Sequence, residues 1–257
     1  MEVNLTSAIR TTIASSHRIA DFTERSIKRI STGQKHGSLF DNAQAVSVAK
    51  SLTNRASDFL SVKSTIQQGQ RTVSAATHGL EFISHMLTQM KAVAQQYEAT
   101  TSVPEQTRLS AQFTELQSQL DGLARDSSYG GTNLINASPD TLDVTLNEDG
   151  TTRLAVVGTD STSAALGVTL TVSTIDAALM EVRGAAQTLG SNASVLAIRE
   201  EFTDGLVNSL EEGAQKLVGA DLNEEAANLL SAQTRGQLSA IATGLAAKSE
   251  AAIVQLF

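Results

Sequence analysis

The chain has 257 residues, a formal net charge of −8 at pH 7, and no cysteine. The lack of cysteine excludes disulfides, zinc–thiolate sites and cysteine nucleophiles. The acidic balance argues against binding to duplex nucleic acid. No run of roughly 20 apolar residues is present, so we predict no membrane span. The N-terminus lacks the basic start and apolar run of a cleavable signal peptide, so we expect a secreted form to leave the cell by another route.

A weakly amphipathic helix is predicted for residues 5–30. Its apolar residues are diluted by Ser and Thr, and such a helix is marginal in water by itself. We therefore expect it to pair with the other end of the chain or with other subunits. The apolar positions are Leu5, Ile9, Ile13, Ile19, Phe22, Ile27 and Ile30.

The strongest pattern lies between Ala43 and Glu98, where two apolar tracks repeat every seven residues. Such heptads without an interior proline predict one long helix with a coiled-coil seam. The first track is Leu52, Phe59, Ile66, Val73, Leu80, Leu87 and Ala94, and the second contains Val48, Val62, Ala76, Ile83 and Met90.

A shorter helix follows, with Ser102 and Glu105 predicted to form a capping box around Pro104. Its apolar positions are Leu109, Phe113, Leu116, Leu120 and Leu123.

The spacing of apolar residues changes in residues 129–173. Gly130 and Gly131 break the helix, and two alternating segments around Asp149 and Gly150 predict a β-hairpin. Leu166, Val168, Leu170 and Val172 alternate in the same way and predict a third strand.

A second heptad run covers residues 175–217, with Thr203 as a polar interruption. Its tracks are Ile175, Val182, Leu189, Leu196, Leu210 and Leu217, and Leu179, Ala186, Ala193, Val207 and Ala214.

The C-terminal segment, residues 223–257, has another sparse stripe, formed by Leu230, Leu238, Ile241, Leu245, Ala252, Ile253 and Leu256. Residues 1–35 have a net charge of +3, and residues 200–225 have a net charge of −7. We predict a mainly α fold: a long antiparallel coiled-coil helical bundle with a small β-hairpin insert and with paired N- and C-terminal helices.

Catalytic or metal-binding patterns are weak. His78, Glu81 and His85 share a helical face, but their spacing differs from the zinc-binding HExxH pattern, so we predict no metal site. Adjacent glutamates in a helix point about 100° apart and do not form an acid–base pair by themselves. We expect solvated helix faces at the three such pairs, Glu200 and Glu201, Glu211 and Glu212, and Glu224 and Glu225.

Four short motifs occur in the order found in bacterial flagellins, which the chain resembles. Residues 24–33 (ERSIKRISTG) resemble the family segment ending in RISTG, and residues 41–49 (DNAQAVSVA) resemble the start of its long helix. Residues 217–226 (LVGADLNEEA) and 233–238 (QTRGQL) are similar to its C-terminal motifs. The resemblance covers roughly residues 1–130 and 175–257.

This resemblance implies a structural subunit, without catalytic residues or cofactor, that polymerises into the extracellular flagellar filament for motility. Export through the flagellar type III apparatus, and contacts with an export chaperone, the cap and hook-associated proteins, are also implied. The inner filament core would contain residues 1–42 and 218–257, and the outer bundle residues 43–217 with the insert at about 129–173. The expected subunit-interface residues are Leu5, Ile9, Ile13, Ile27, Ile30, Leu238, Ile241, Leu245, Ile253 and Leu256.

Other functions remain open at this point. A hook–filament junction protein or a minor flagellin would share the terminal helices. A chemoreceptor-like signalling rod would also be rich in heptads, but it would need membrane spans or a receptor hairpin tip. A metal-dependent enzyme on a helical bundle, using His78 and His85, is the alternative from another class.

Overall fold

The computed structural model describes the backbone of residues 7–254 and the side chains of residues 10–249. Within this part, five helices and four short strands confirm the predicted mainly α fold. The helices are α1 Ser7–Thr32, α2 Leu39–Ala99, α3 Val103–Asp126, α4 Val172–Val218 and α5 Leu222–Val254. The strands are β1 Ser128–Tyr129, β2 Thr132–Asn133, β3 Thr141–Thr145 and β4 Arg153–Val157.

The chain divides into two compact units. We call the described parts of Met1–Asn54 and Leu210–Phe257 the terminal unit, and Arg55–Ser209 the central unit. Both limits fall inside a long helix, α2 or α4. The division of a filament subunit into residues 1–42 with 218–257 and residues 43–217 stays a prediction.

The continuous part of α2 begins where the sequence predicts. Asn42 has extended backbone angles, φ −160° and ψ 94°, and its Oδ1 accepts a hydrogen bond from the backbone N–H of Ala45 at 3.1 Å. This arrangement is an N-cap, in which a side chain satisfies a free N–H group of the first helical turn. The residues before Asn42 therefore form a separate turn.

The heptad tracks form the core of the central unit. Ile66, Leu80 and Leu87 of α2 are 0% exposed, and residues of α3, β3, β4 and α4 join the same apolar cluster. Thr203 interrupts the α4 track and is 1% exposed. Its hydroxyl donates to the carbonyl of Arg199 at 2.8 Å, which satisfies the buried polar group within its own helix.

The predicted capping box of α3 is wrong. Ser102 is the N-cap residue, but its side chain makes no capping hydrogen bond. The Thr100 hydroxyl instead accepts the Ser102 backbone N–H at 3.3 Å and donates to Oε2 of Glu105 at 3.3 Å. Thr100 therefore bridges the two groups that a capping box would join directly.

The insert contains the predicted hairpin, with β3 and β4 antiparallel and Val144 opposite Leu154. Gly130 and Gly131, predicted only to break a helix, form the turn of a second small hairpin, with φ values of 60° and 87°. Two successive positive φ angles are typical of a type I′ hairpin turn.

The third strand predicted at residues 166–172 is absent from the described chain. Gly167 has φ 60°, and the N–H of Val168 donates to the carbonyl of Ser163 at 3.0 Å, so the segment is a local turn. Leu166 and Val168 are both buried, which explains an alternating pattern without a strand, and Val172 already begins α4.

Candidate assembly surface

Backbone hydrogen bonds fix the end of α1 against the junction between α4 and α5. Gly33 has φ 68°, as expected for the residue that follows a helix end, and its N–H donates to the Arg29 carbonyl at 2.8 Å. Its own carbonyl accepts the N–H of Ala220 at 2.9 Å, and the N–H of Lys35 donates to the carbonyl of Val218 at 2.7 Å. These bonds set α1 beside α5, and the two helices pack along each other.

Two acidic residues act at the start of α5: Asp221 caps the helix, and the buried carboxylate of Glu225 joins it to α1. Asp221 caps α5 by accepting the backbone N–H groups of Asn223 at 2.9 Å and Glu224 at 3.2 Å. Glu225 is 5% exposed. It accepts the Ser26 hydroxyl at 3.0 Å and Nη1 of Arg29 at 2.8 Å. We call Ser26, Arg29 and Glu225 the Glu225 cluster.

The Glu225 cluster corrects one sequence expectation. Glu224 is exposed, as expected for a solvated helix face, but its neighbour Glu225 is buried and paired. The two residues have the same chemistry and adjacent positions, so no local sequence feature distinguishes them. The partner side chains on α1 decide which of the two glutamates enters the interface. They lie 199 and 196 residues earlier in the chain.

Small residues of α5 face α1. Ala232 is 3% exposed, and a Cβ added at Gly236 would lie 3.6 Å from Cγ2 of Ile19. Ser26 is 1% exposed on the α1 side. Small side chains allow two helices to approach closely, because ridges and grooves are shallow there.

The large apolar side chains of the two helices are exposed instead. Ile13 is 37% exposed, Ile27 50%, Leu238 61%, Ile241 68% and Leu245 66%, while Ile30 is half-buried. Ile9 and Ile253 lie in α1 and α5, but their side chains are outside the described set, and Leu5 and Leu256 lie outside the described residues. The contact between α1 and α5 therefore leaves five of the six predicted interface side chains that the structure describes exposed.

A groove of about 520 Å³ lies between α1 and α5. We call it the α1–α5 groove. Its apolar lining is Ile19, Phe22 and Ala232, and its ionisable lining is Asp21 with three arginines, Arg18, Arg25 and Arg235. Nε of Arg25 donates to the backbone carbonyl of Asp21 at 3.3 Å. The groove thus brings three apolar side chains together with three arginines.

Ion pairs between helices occur in the central unit. Nζ of Lys63 lies 2.5 Å from Oδ1 of Asp204, and Nζ of Lys91 lies 2.6 Å from Oδ1 of Asp176. Both pairs link α2 to α4. No sequence pattern predicts these ion pairs, because no periodicity relates charges so distant in the chain.

The other glutamate pairs are near the surface. Glu200 accepts Nε2 of Gln67 at 2.6 Å. Glu212 lies 2.7 Å from Nζ of Lys216, and the hydrogen bond from Lys216 lowers the pKa of Glu212 below its ordinary value. No two of these carboxylates are joined by a hydrogen bond among the described residues.

The histidine face of α2 is exposed. Nδ1 of His78 lies 3.7 Å from Oε2 of Glu81, and both side chains are more than half exposed. Across the described residues, no group of three or more His, Cys, Asp or Glu side chains is placed to hold a metal ion. Over the same residues, no helix combines the length and apolar character needed to cross a bilayer.

Comparison with known proteins identifies the family. The model of the bacterial flagellin N-terminal helical region matches residues 3–139. Flagellin FljO of Caulobacter vibrioides is 31% identical, with 90% of this chain and 89% of the relative covered. The flagellin of Brucella melitensis is 26% identical, with 96% and 94% covered. A crystal structure of Bacillus cereus flagellin is similar at 17% identity and a TM-score of 0.49, over 54% of this chain and 88% of that one. On the family-model match and the identity to FljO, the chain belongs to the bacterial flagellin family.

Proposed function

We propose that this chain polymerises with copies of itself into the extracellular filament of the bacterial flagellum, and that α1 and α5 supply the main contacts between subunits. The observation that carries the proposal is the orientation of the helix pair. Its small and polar residues, such as Ser26 and Ala232, are buried, whereas Leu238, Ile241 and Leu245 are exposed. A surface of this kind favours association, because large exposed apolar patches mark interaction sites.

The number of exposed side chains matters for the free energy of association. Burial of one Leu or Ile side chain contributes about 1.5–3 kcal/mol, whereas protein association costs about 4–15 kcal/mol in lost translational and rotational freedom. One such side chain cannot join two subunits. A set of five, Ile13, Ile27 and the three residues on α5, contributes about 7.5–15 kcal/mol once neighbouring subunits cover it, which is comparable with that cost.

The proposed role is structural and includes no catalytic step. Before assembly, we expect a partner to bind the exposed apolar face of α5, and family membership favours an export chaperone. Contacts with the cap and hook-associated proteins, and export through the flagellar type III apparatus, belong to the same proposal.

The experiment compares full-length variants. Ile241 and Leu245 are one helical turn apart on α5, and both are strongly exposed, so their replacement by serine should leave the fold intact. Ile241→Ser with Leu245→Ser should raise the critical concentration for polymerisation more than about 100-fold, because it removes two buried apolar side chains from the filament.

The matched control is Val157→Ser, which alters an equally exposed residue (66%) on β4 of the insert. Sedimentation and electron microscopy measure filament formation, and circular dichroism measures the melting temperature. Wild-type protein that stays monomeric at high concentration would contradict the proposed function. A double serine variant that polymerises like the wild type would exclude α5 as the main contact.

A further inference from the structure

The segment before Asn42 presents two large apolar side chains to solvent. Phe40 is 102% exposed and Leu39 is 60% exposed. Three hydrogen bonds hold this segment in a defined turn. The N–H of Asp41 donates to the Ser38 carbonyl at 3.0 Å, the N–H of Ser38 to Oδ2 of Asp41 at 3.1 Å, and the N–H of Phe40 to Oγ of Ser38 at 3.3 Å. We call residues 38–41 the Phe40 turn.

A fixed turn that exposes a phenylalanine has the properties of a preformed contact. The backbone is already ordered, so binding does not have to immobilise it. A phenylalanine ring buries 150–250 Å² on full burial and has few rotatable bonds. In the isolated subunit the Phe40 side chain is fully exposed, so none of this area is buried.

The terminal unit also contains a surface that suits this side chain. The α1–α5 groove has a volume of about 520 Å³, and Ile19, Phe22 and Ala232 belong to its lining. Pockets of roughly 300–1,000 Å³ hold drug-sized molecules, so the volume is large enough for one aromatic ring. The arginines of the lining add a specific attraction, because guanidinium groups stack on aromatic faces.

Charge complementarity points to the same pairing. Arg18 and Arg235 make no ion pair or hydrogen bond within the described residues, and the groove has three arginines for one aspartate. Asp41 follows Phe40 directly and is exposed. Its Oδ1 is not used in the hydrogen bonds of the turn. An aromatic ring next to a carboxylate therefore matches a groove lined by apolar side chains and arginines.

We propose that the Phe40 turn of one subunit inserts into the α1–α5 groove of a second copy, with Phe40 against the apolar lining residues and Asp41 beside Arg18 or Arg235. This contact rests on the proposed polymerisation and assigns one of its interfaces. The turn and the groove are different surfaces of the same unit, so the contact is heterologous. A heterologous contact that does not close into a ring generates an open helical polymer.

The test is a double-mutant cycle in the full-length chain. Phe40→Ala and Arg235→Gln alter exposed side chains, so the melting temperature should match that of the wild type. We expect Phe40→Ala to raise the critical concentration for polymerisation about 10- to 30-fold and Arg235→Gln about 3- to 10-fold. The variant with both changes should be no worse than Phe40→Ala alone, because both substitutions remove the same contact.

The control cycle pairs Arg235→Gln with Phe82→Ala, which removes a phenylalanine that is 59% exposed on α2 of the central unit. The effects of these two substitutions on the critical concentration should multiply. Phe40→Trp should retain most of the polymerisation, because an aromatic face remains.

Two results would overturn the contact. Phe40→Ala could leave the critical concentration unchanged, or its effect could multiply with that of Arg235→Gln as in the control cycle. If Arg235→Gln weakened polymerisation in the first case, the groove would be assigned to another segment, such as one within the acidic residues 200–225. Both results require that the wild type forms filaments. If the wild type does not polymerise, the proposed function fails together with this contact.

Discussion

Oε1 of Glu225 on α5 lies 2.8 Å from Nη1 of Arg29 on α1, and Glu225 is 5% exposed. The carboxylate has lost most of its contact with water, so its stability depends on the groups that donate hydrogen bonds to it. Ser26 is the second donor, at 3.0 Å. Arg29 itself is one-third exposed, which reduces the electrostatic part of the interaction through solvent screening.

We predict that Arg29→Met destabilises the contact between α1 and α5 by about 1–3 kcal/mol, because it leaves a buried carboxylate with one donor fewer. Arg29→Met combined with Glu225→Leu should recover part of this loss, since replacing both members of a buried pair is less costly than removing one. Hydrogen exchange of α1 amides measures the effect. Equal protection in the wild type and in Arg29→Met would show that the Glu225 cluster does not stabilise the helix pair.

Two glycines should respond to alanine with opposite signs. At Gly158, an added Cβ would lie 2.7 Å from the backbone carbonyl oxygens of Asp140 and Leu134, which cannot move without shifting the insert. We expect Gly158→Ala to destabilise the central unit by about 1–3 kcal/mol.

Gly122→Ala is the matched variant. Gly122 lies inside α3, and a Cβ there meets nothing within 4 Å. This substitution should stabilise the chain by about 0.5–1 kcal/mol, because glycine loses more backbone entropy in a helix than alanine does. Thermal unfolding followed by circular dichroism compares both with the wild type, and a loss of stability in both variants would contradict the prediction.

We expect a fragment of residues 42–217 to fold without the terminal helices. The main apolar cluster extends from Val62 to Leu196, so it lies entirely within this fragment. The fragment should melt cooperatively, sediment as a monomer and neither form nor extend filaments. Filament formation by the fragment would contradict the assignment of subunit contacts to α1 and α5, and a fragment without a melting transition would contradict the independence of the core.

The pair of Glu212 and Lys216 gives a prediction about pH. Because the hydrogen bond from Lys216 lowers the pKa of Glu212, its stabilising effect is complete above the ordinary pKa and is lost as the pH falls through the lowered value. The pair is exposed, so the effect on unfolding should be small. A carboxyl titration by NMR should show the Glu212 pKa rising in Lys216→Met, and an unchanged pKa would exclude the pair.

The sequence predicts the helices well because their signals are local and periodic. The heptads of α2 follow from residues such as Ile66, Val73 and Leu80, each of which repeats the same contact with the core. Asn42 supplies a local start signal, and Gly150 a local turn. The prediction of a third strand is wrong because alternating burial at Leu166 and Val168 arises from a turn as readily as from a strand.

The candidate assembly surface was predicted less completely for a physical reason. The sequence shows that Leu238, Ile241 and Leu245 share a face, but not whether that face contacts α1 or a second subunit. The answer depends on Ser26, Arg29 and Glu225, which direct the opposite face of α5 toward α1. The groove likewise requires residues from both ends of the chain, so no local pattern reveals it.

The exposed leucine and isoleucine side chains of α5 also affect how the folded monomer behaves in a test tube. Adsorption to polystyrene, to silicone tubing and at the air–water interface depends on accessible apolar area, and here that area belongs to the native state. The fraction of protein lost by adsorption should therefore be largest in dilute samples, where few other subunits are available to cover this apolar area. Vortexing or foaming a dilute stock should remove protein from solution even at temperatures far below the melting transition.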